Sequence, residues 1–169
     1  GINSFKVEGR MKTALYVAVV TRTYREAIDD YYTSKELYES KMEHYREEIA
    51  ACTFRQFTTG FYYGKPNEET QIYDCNTYVK NRVYLGTVEE VTAAGELVIH
   101  QKNKFCVGDT IEVMAFDGKN VDVEVLAIHD EHGTEMKSAP HPKQLLYVKV
   151  SDSEKIRKGM IIRTRHCAV

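Results

Sequence analysis

Phe-Cys-Val-Gly-Asp-Thr-Ile-Glu-Val at Phe105–Val113 and Ile-Arg-Lys-Gly-Met-Ile-Ile-Arg at Ile156–Arg163 share one logic. Each closes a loop on a glycine, a residue that tolerates the left-handed backbone a tight turn needs, and then re-enters an apolar strand. Working outward from these two segments, everything from Val83 onward reads as β-structure. The strand candidates are Tyr84–Val91, Leu97–Gln101, Thr110–Ala115, Val121–Ile128, Leu145–Val150 and Met160–Thr164. Turn formers separate them at Ala94–Gly95, Gly108–Asp109, Asp117–Gly118 and Pro140/Pro142. Six short strands at this spacing predict a small closed antiparallel β-barrel over residues 83–169.

Upstream of Val83 the pattern changes. Ser4–Glu8 alternates polar and apolar residues and predicts a short strand. After Gly9, Met11–Tyr32 predicts a helix, apolar nearly all round in its first half and narrowing to the stripe Tyr24, Ile28, Tyr31. Thr33–Ser40 reads as a polar connection, and Lys41–Cys52 as a second helix carrying Met42, Tyr45, Ile49 and Cys52 on one side. A helix apolar on all sides is buried between layers, and a lone strand–helix unit cannot cover its own faces. Residues 1–52 are therefore expected to be the terminal strand and helices of a larger catalytic domain. The aromatic and glycine-rich stretch 53–82 is expected to be a mostly irregular linker. The fold class expected is α+β, with the barrel resembling the second domain of translational GTPases by fold analogy alone.

Bulk properties narrow the function classes. The longest purely apolar run, Ala14–Val20, falls far short of the roughly 20 residues a membrane span needs, so no membrane partner is expected. Cys52, Cys75, Cys106 and Cys167 include no Cys-x-x-Cys pair. That argues against a self-contained metal site and, in a chain long enough for an apolar core, for reduced thiols in the cytoplasm. Charge is divided: residues 83–135 carry three Lys/Arg against eleven Asp/Glu, and residues 136–169 carry eight against two. An uneven distribution of this kind bears on partner choice.

Five groups of residues are candidates for chemistry. Lys6, Glu8 and Arg10 alternate onto one face of the predicted strand and its exit, where they would either contact substrate or form an ion network fixing the strand end. Arg10 and Lys12 lie beside the first free amides of the helix, an arrangement suited to a phosphate or carboxylate. Lys155, Arg157, Lys158, Arg163 and Arg165, with Tyr147 and Lys149 on the preceding strand, read either as a phosphate-backbone footprint or as a solvated barrel edge. His129-Asp-Glu-His132, followed by Gly133, is more simply a hairpin turn than a metal site. The aromatics Phe57, Phe61, Tyr62 and Tyr63 are expected to be glue between the two parts rather than a stacking platform.

The opening run, Gly-Ile-Asn-Ser-Phe-Lys-Val-Glu-Gly-Arg-Met-Lys-Thr-Ala-Leu-Tyr-Val (Gly1–Val17), resembles a signature of the collagenase-like peptidases of family U32. The resemblance continues through Thr-Arg-Thr-Tyr-Arg-Glu-Ala-Ile-Asp (Thr21–Asp29) and Thr-Thr-Gly-Phe-Tyr-Tyr-Gly-Lys-Pro (Thr58–Pro66). It implies a TIM-barrel-like catalytic domain with Lys6 to Arg10 at a strand end near its active face, which makes Lys6, Glu8 and Arg10 the catalytic candidates. The family takes its name from proteolysis, and bacterial members are implicated in hydroxylating bases of transfer and ribosomal RNA with an iron–sulfur cluster. None of the four cysteines here sits in a matching context, so any cluster would belong to an upstream catalytic domain of the same protein, and this chain has no cofactor of its own. The chain is thus expected to be the C-terminal part of such an enzyme, inactive alone. Its barrel would dock substrate, transfer RNA or ribosomal RNA through Lys12, Lys149, Lys155, Lys158, Arg163 and Arg165, or else would serve as a non-catalytic protein-interaction module. No Ser–His–Asp, Cys–His or His-Glu-x-x-His arrangement is recognisable.

Overall fold

The structure, a computed structural model, describes residues 3–51, 62–65 and 82–165. The chain divides into two compact units, Gly1–Asn81 and Arg82–Val169.

The first unit holds three helices: α1 (Ala14–Thr33), α2 (Lys35–Ser40) and α3 (Met42–Ala50). Thr13 caps α1, its hydroxyl accepting the Tyr16 amide, and Ser34 caps α2 by accepting the Leu37 amide at 3.0 Å. These side chains satisfy amides that the first turn of a helix leaves without a carbonyl. α1 buries Leu15, Val19 and Val20. Polar contacts then tie α1 to the chain that follows. Arg22 pairs with Glu48 at 2.9 Å, and Asp30 accepts from Lys41 Nζ at 2.8 Å and from the Tyr45 hydroxyl at 2.6 Å. Those two donors, Lys41 first, hold the Asp30 carboxyl below the ordinary aspartate range. Burial, then the bond to Asp30, pushes the Tyr45 hydroxyl well up.

Three expectations for this unit need correction. Ser4–Glu8 is not a strand: Asn3–Gly9 carries no ladder among the described residues, and alternation without a partner leaves the backbone donors unpaired. Phe5 instead approaches Tyr24 of α1, ring centroids 6.4 Å apart. Helix α1 starts at Ala14 rather than Met11, because the Lys12 amide closes a turn on the Gly9 carbonyl at 2.9 Å before Thr13 caps the helix. The close approach there suits glycine, since a Cβ on Gly9 would lie 2.9 Å from Val17 Cγ2. Thr33–Ser40 is mainly the helix α2 rather than a plain connection, started by Ser34. Most of the predicted linker 53–82 lies outside the described residues.

The second unit has seven strands: β1 (Tyr84–Val91), β2 (Leu97–Gln101), β3 (Thr110–Met114), β4 (Val121–His129), β5 (Glu135–Met136), β6 (Leu145–Val150) and β7 (Ile161–Thr164). Six of them close in the order β3-β7-β1-β2-β6-β4, with β4 pairing back to β3, and every pairing is antiparallel. This is the expected six-stranded barrel. The two-residue β5 is an addition hung on β4 through His129 and Ile128. Leu85, Ile99, Val113, Val125, Leu146 and Ile162 fill the interior, each burial contributing about 2 kcal/mol. Gly95, Gly108, Gly118 and Gly159 turn the chain at positive φ.

Candidate nucleic-acid interface

The basic run near the end of the barrel does not act as one unit. Arg163 lies directly opposite Glu112 on neighbouring strands and bonds its carboxylate, with no exposed surface of its own. Burying a guanidinium is tolerated because the carboxylate pairs with it. Arg163 therefore cannot reach a phosphate, and the expectation that it contacts RNA is corrected. Arg165 is exposed but pairs with Asp122 at 3.2 Å. Arg157 directs Nη1 at the carbonyls of Glu154 and Ile156, which makes it a staple of its own loop. Lys149, Lys155 and Lys158 are different: all three are exposed and make no ion pair among the described residues. The alternation of β6 sets Lys149 on its outer face, beside Ala127 of β4, with half-buried Tyr147 two residues before it.

At the other end of the chain, Lys6, Glu8, Arg10 and Lys12 are all exposed. The Glu8 carboxylate accepts the Arg10 amide at 2.8 Å, which shapes the turn into α1. No ion pair joins Lys6, Glu8 and Arg10 among the described residues. The Lys12 ammonium sits over the Tyr16 ring, 5.3 Å from its centroid.

The histidine cluster is a turn, as expected. Asp130 Oδ1 accepts the amides of His132 and Thr134 at 2.9 and 2.8 Å, and β4 and β5 pair on either side of it. These amides, Thr134 first, hold the Asp130 carboxyl below the ordinary range. Among the described residues no group of three His, Cys, Asp or Glu side chains is placed to hold a metal. Cys106, a free thiol, stands apart, and the other cysteines lie outside the described residues. Tyr62 and Tyr63 are both largely exposed; Phe57 and Phe61 lie outside the described residues. No described helix is long and apolar enough to cross a membrane.

Comparison with known proteins bears on both units. The profile described as "Peptidase family U32" matches residues 1–72, and that described as "Peptidase family U32 C-terminal domain" matches residues 80–163. The chain belongs to peptidase family U32. Among its curated relatives, "tRNA hydroxylation protein P1" of Bacillus subtilis is 34% identical over 94% of this chain and 39% of its own length. "tRNA hydroxylation protein P" of Escherichia coli is 27% identical over 96% of this chain and 35% of its own length. The chain thus spans between a third and two-fifths of the length of these U32 relatives. A crystal structure of the C-terminal domain of a U32 peptidase family protein from Geobacillus thermoleovorans aligns with a TM-score of 0.44 at 26% identity, over 48% of this chain and 99% of that one.

Proposed function

We propose that this chain works as part of a tRNA hydroxylation protein, with the barrel docking tRNA through Lys149, Lys155 and Lys158. The observation that carries this reading is the 34% identity to the Bacillus subtilis tRNA hydroxylation protein, which runs over 94% of the chain. Three exposed lysines without carboxylate partners support it, since cations left unpaired by their own protein are the ones available to displace counterions from a phosphate backbone. In this reading Lys6, Glu8, Arg10 and Lys12 face substrate, the iron–sulfur chemistry belongs to another part of the protein, and the work is done in the cytoplasm. The peptidase activity in the family's name finds no support among the described residues. The described histidines with side-chain partners meet Glu26, Glu131 and Lys102, never a Ser, Thr or Cys nucleophile.

The test uses the full-length protein in a strain whose own copy is deleted. Deletion should remove a hydroxylated tRNA nucleoside from the mass spectrum, and the wild-type copy should restore it. A copy with Lys149, Lys155 and Lys158 all changed to Glu should restore it poorly, and the purified variant should bind tRNA with a log K against log salt slope shallower by about three. A tRNA nucleoside profile untouched by deletion would sink the activity. Unchanged tRNA affinity and slope in the triple variant would sink the docking role.

A further inference from the structure

Two loops of the barrel, 115–120 between β3 and β4 and 151–160 between β6 and β7, line one open groove of about 660 Å³. In it stands Phe116, 70% exposed. Its Cζ lies 3.6 Å from where a Cβ on Gly159 would be, so the tip of the ring comes close to the Gly159 turn. The core does not account for this residue, because the strand before it ends with Met114 and Ala115 already buried. A large apolar ring held out at a loop tip costs about 2 kcal/mol relative to burial. The charges around it explain which ligand such a ring fits. Lys119, Lys155 and Arg157 line the same groove as Asp117, Asp122 and Asp152, so the local charge is close to balanced. A phosphate would meet three carboxylates there. A neutral, flat group bearing amino donors would not be repelled, and the carboxylates could accept from it.

We propose that Phe116 is a stacking platform for one unpaired base of the RNA that the barrel docks, with the flanking phosphate reaching Lys158, which lies outside the lining of this groove. This rests on the tRNA-docking reading above and adds to it the subsite and the need for an unpaired nucleotide. Aromatic–base stacking of this kind tolerates any base, and its loss costs about tenfold or more in affinity.

The experiment compares Phe116→Ala and Phe116→Tyr with the wild-type full-length protein. The probes are tRNA, a short unstructured RNA carrying 2-aminopurine, and the duplex of that same RNA. Wild type and F116Y should quench the 2-aminopurine fluorescence on binding. F116A should lose the quenching and bind the unpaired RNA about tenfold more weakly, with the duplex affinity and the salt slope unchanged. Because the side chain is mostly solvent-exposed, F116A should keep the wild-type unfolding midpoint. Quenching and affinity preserved in F116A, while the triple lysine variant still loses tRNA, would overturn the stacking site and leave docking intact. Wild-type protein that binds none of the three probes at low salt would overturn both. Tight binding of an aromatic peptide at Phe116 that RNA fails to displace would overturn the stacking site.

Discussion

Glu112 and Arg163 are direct partners across the β3–β7 ladder, and their ion pair is buried on the side of the sheet away from Ile111, Val113 and Ile162. Arg82 joins from the start of the barrel, its Nη1 reaching both Glu112 Oε1 and the Thr164 carbonyl at 3.3 Å. The Val83 amide meets the Thr164 hydroxyl at 2.9 Å. The entry of the chain into the barrel and its last strand are thereby fastened at one charged cluster, which is a structural use of a cation that the sequence alone offers as a surface charge.

Removing one member of this pair should be far worse than removing both. Arg163→Met leaves Glu112 buried against Arg82 alone, and Glu112→Leu leaves a buried guanidinium; each should cost about 3–5 kcal/mol. The double variant, which leaves no buried charge of this pair, should recover most of that loss. Urea unfolding of the three variants followed by tryptophan-free far-ultraviolet dichroism gives the comparison, and additive losses in the double variant would contradict the coupling.

Gly86 sits in β1 between β2 and β7, where a Cβ would lie 2.6 Å from Ile99 Cγ2 and 2.8 Å from the His100 carbonyl oxygen. The second neighbour is backbone and cannot rotate away. Gly86→Ala should therefore destabilise the barrel by about 1–3 kcal/mol, despite being the mildest substitution available. Gly118→Ala is a contrast of a different kind: nothing lies within 4 Å, so its cost comes only from the positive φ of 82°. That cost should be smaller, about 1 kcal/mol. Thermal midpoints of the two variants would rank them.

The Asp30 carboxyl titrates below its ordinary value because Lys41 and Tyr45 donate to its charged form. A depressed folded pKa means stability that is complete above the unfolded pKa, near pH 4, and is lost as pH falls through the folded value. The helical unit should thus weaken on acidification below about pH 4. Asp30→Asn should lower its stability at neutral pH and flatten that part of the acid profile, read as helical signal against urea at a series of pH values. An acid profile unchanged in D30N would show that other carboxylates carry the transition.

The barrel was legible because its signals are local. Apolar alternation and the turns at Gly95, Gly108 and Gly118 mark each strand within a residue or so, whether or not its neighbours are known. Strand β5 escaped notice because two residues have no period. Helix α2 was missed although Ser34 is a good cap, since Lys35–Ser40 is polar enough to look like a loop. Ser4–Glu8 shows the opposite failure, an alternation that predicts a strand where the described residues supply no partner. Arg163 marks the limit for the site. Nothing within ten residues of it announces Glu112, 51 positions away, so a buried ion pair and a phosphate contact look the same in the sequence. Phe116 was overlooked for a similar reason, because an apolar residue just ahead of Asp117–Gly118 reads as the end of a strand.

The turn ahead of α1 allows the proposed catalytic role of Glu8 to be separated from its structural one. Its carboxylate accepts the Arg10 amide at 2.8 Å. Glutamine keeps an acceptor oxygen at that position but loses the charge, whereas alanine loses both. If Glu8 acts on substrate through its charge, Glu8→Gln and Glu8→Ala in the full-length protein should each lower tRNA hydroxylation about tenfold or more. If it only shapes the turn, E8Q should match wild type and E8A alone should fall. Arg10→Ala adds the complementary case: its guanidinium is exposed and has no ion pair among the described residues, so the substitution should leave the unfolding midpoint within about 0.5 kcal/mol of wild type. Loss of hydroxylation in R10A at unchanged stability would then mark a substrate contact. Hydroxylated nucleoside levels, measured beside the helical signal of each variant, decide between these outcomes, and wild-type activity in both E8Q and R10A would remove this segment from the site.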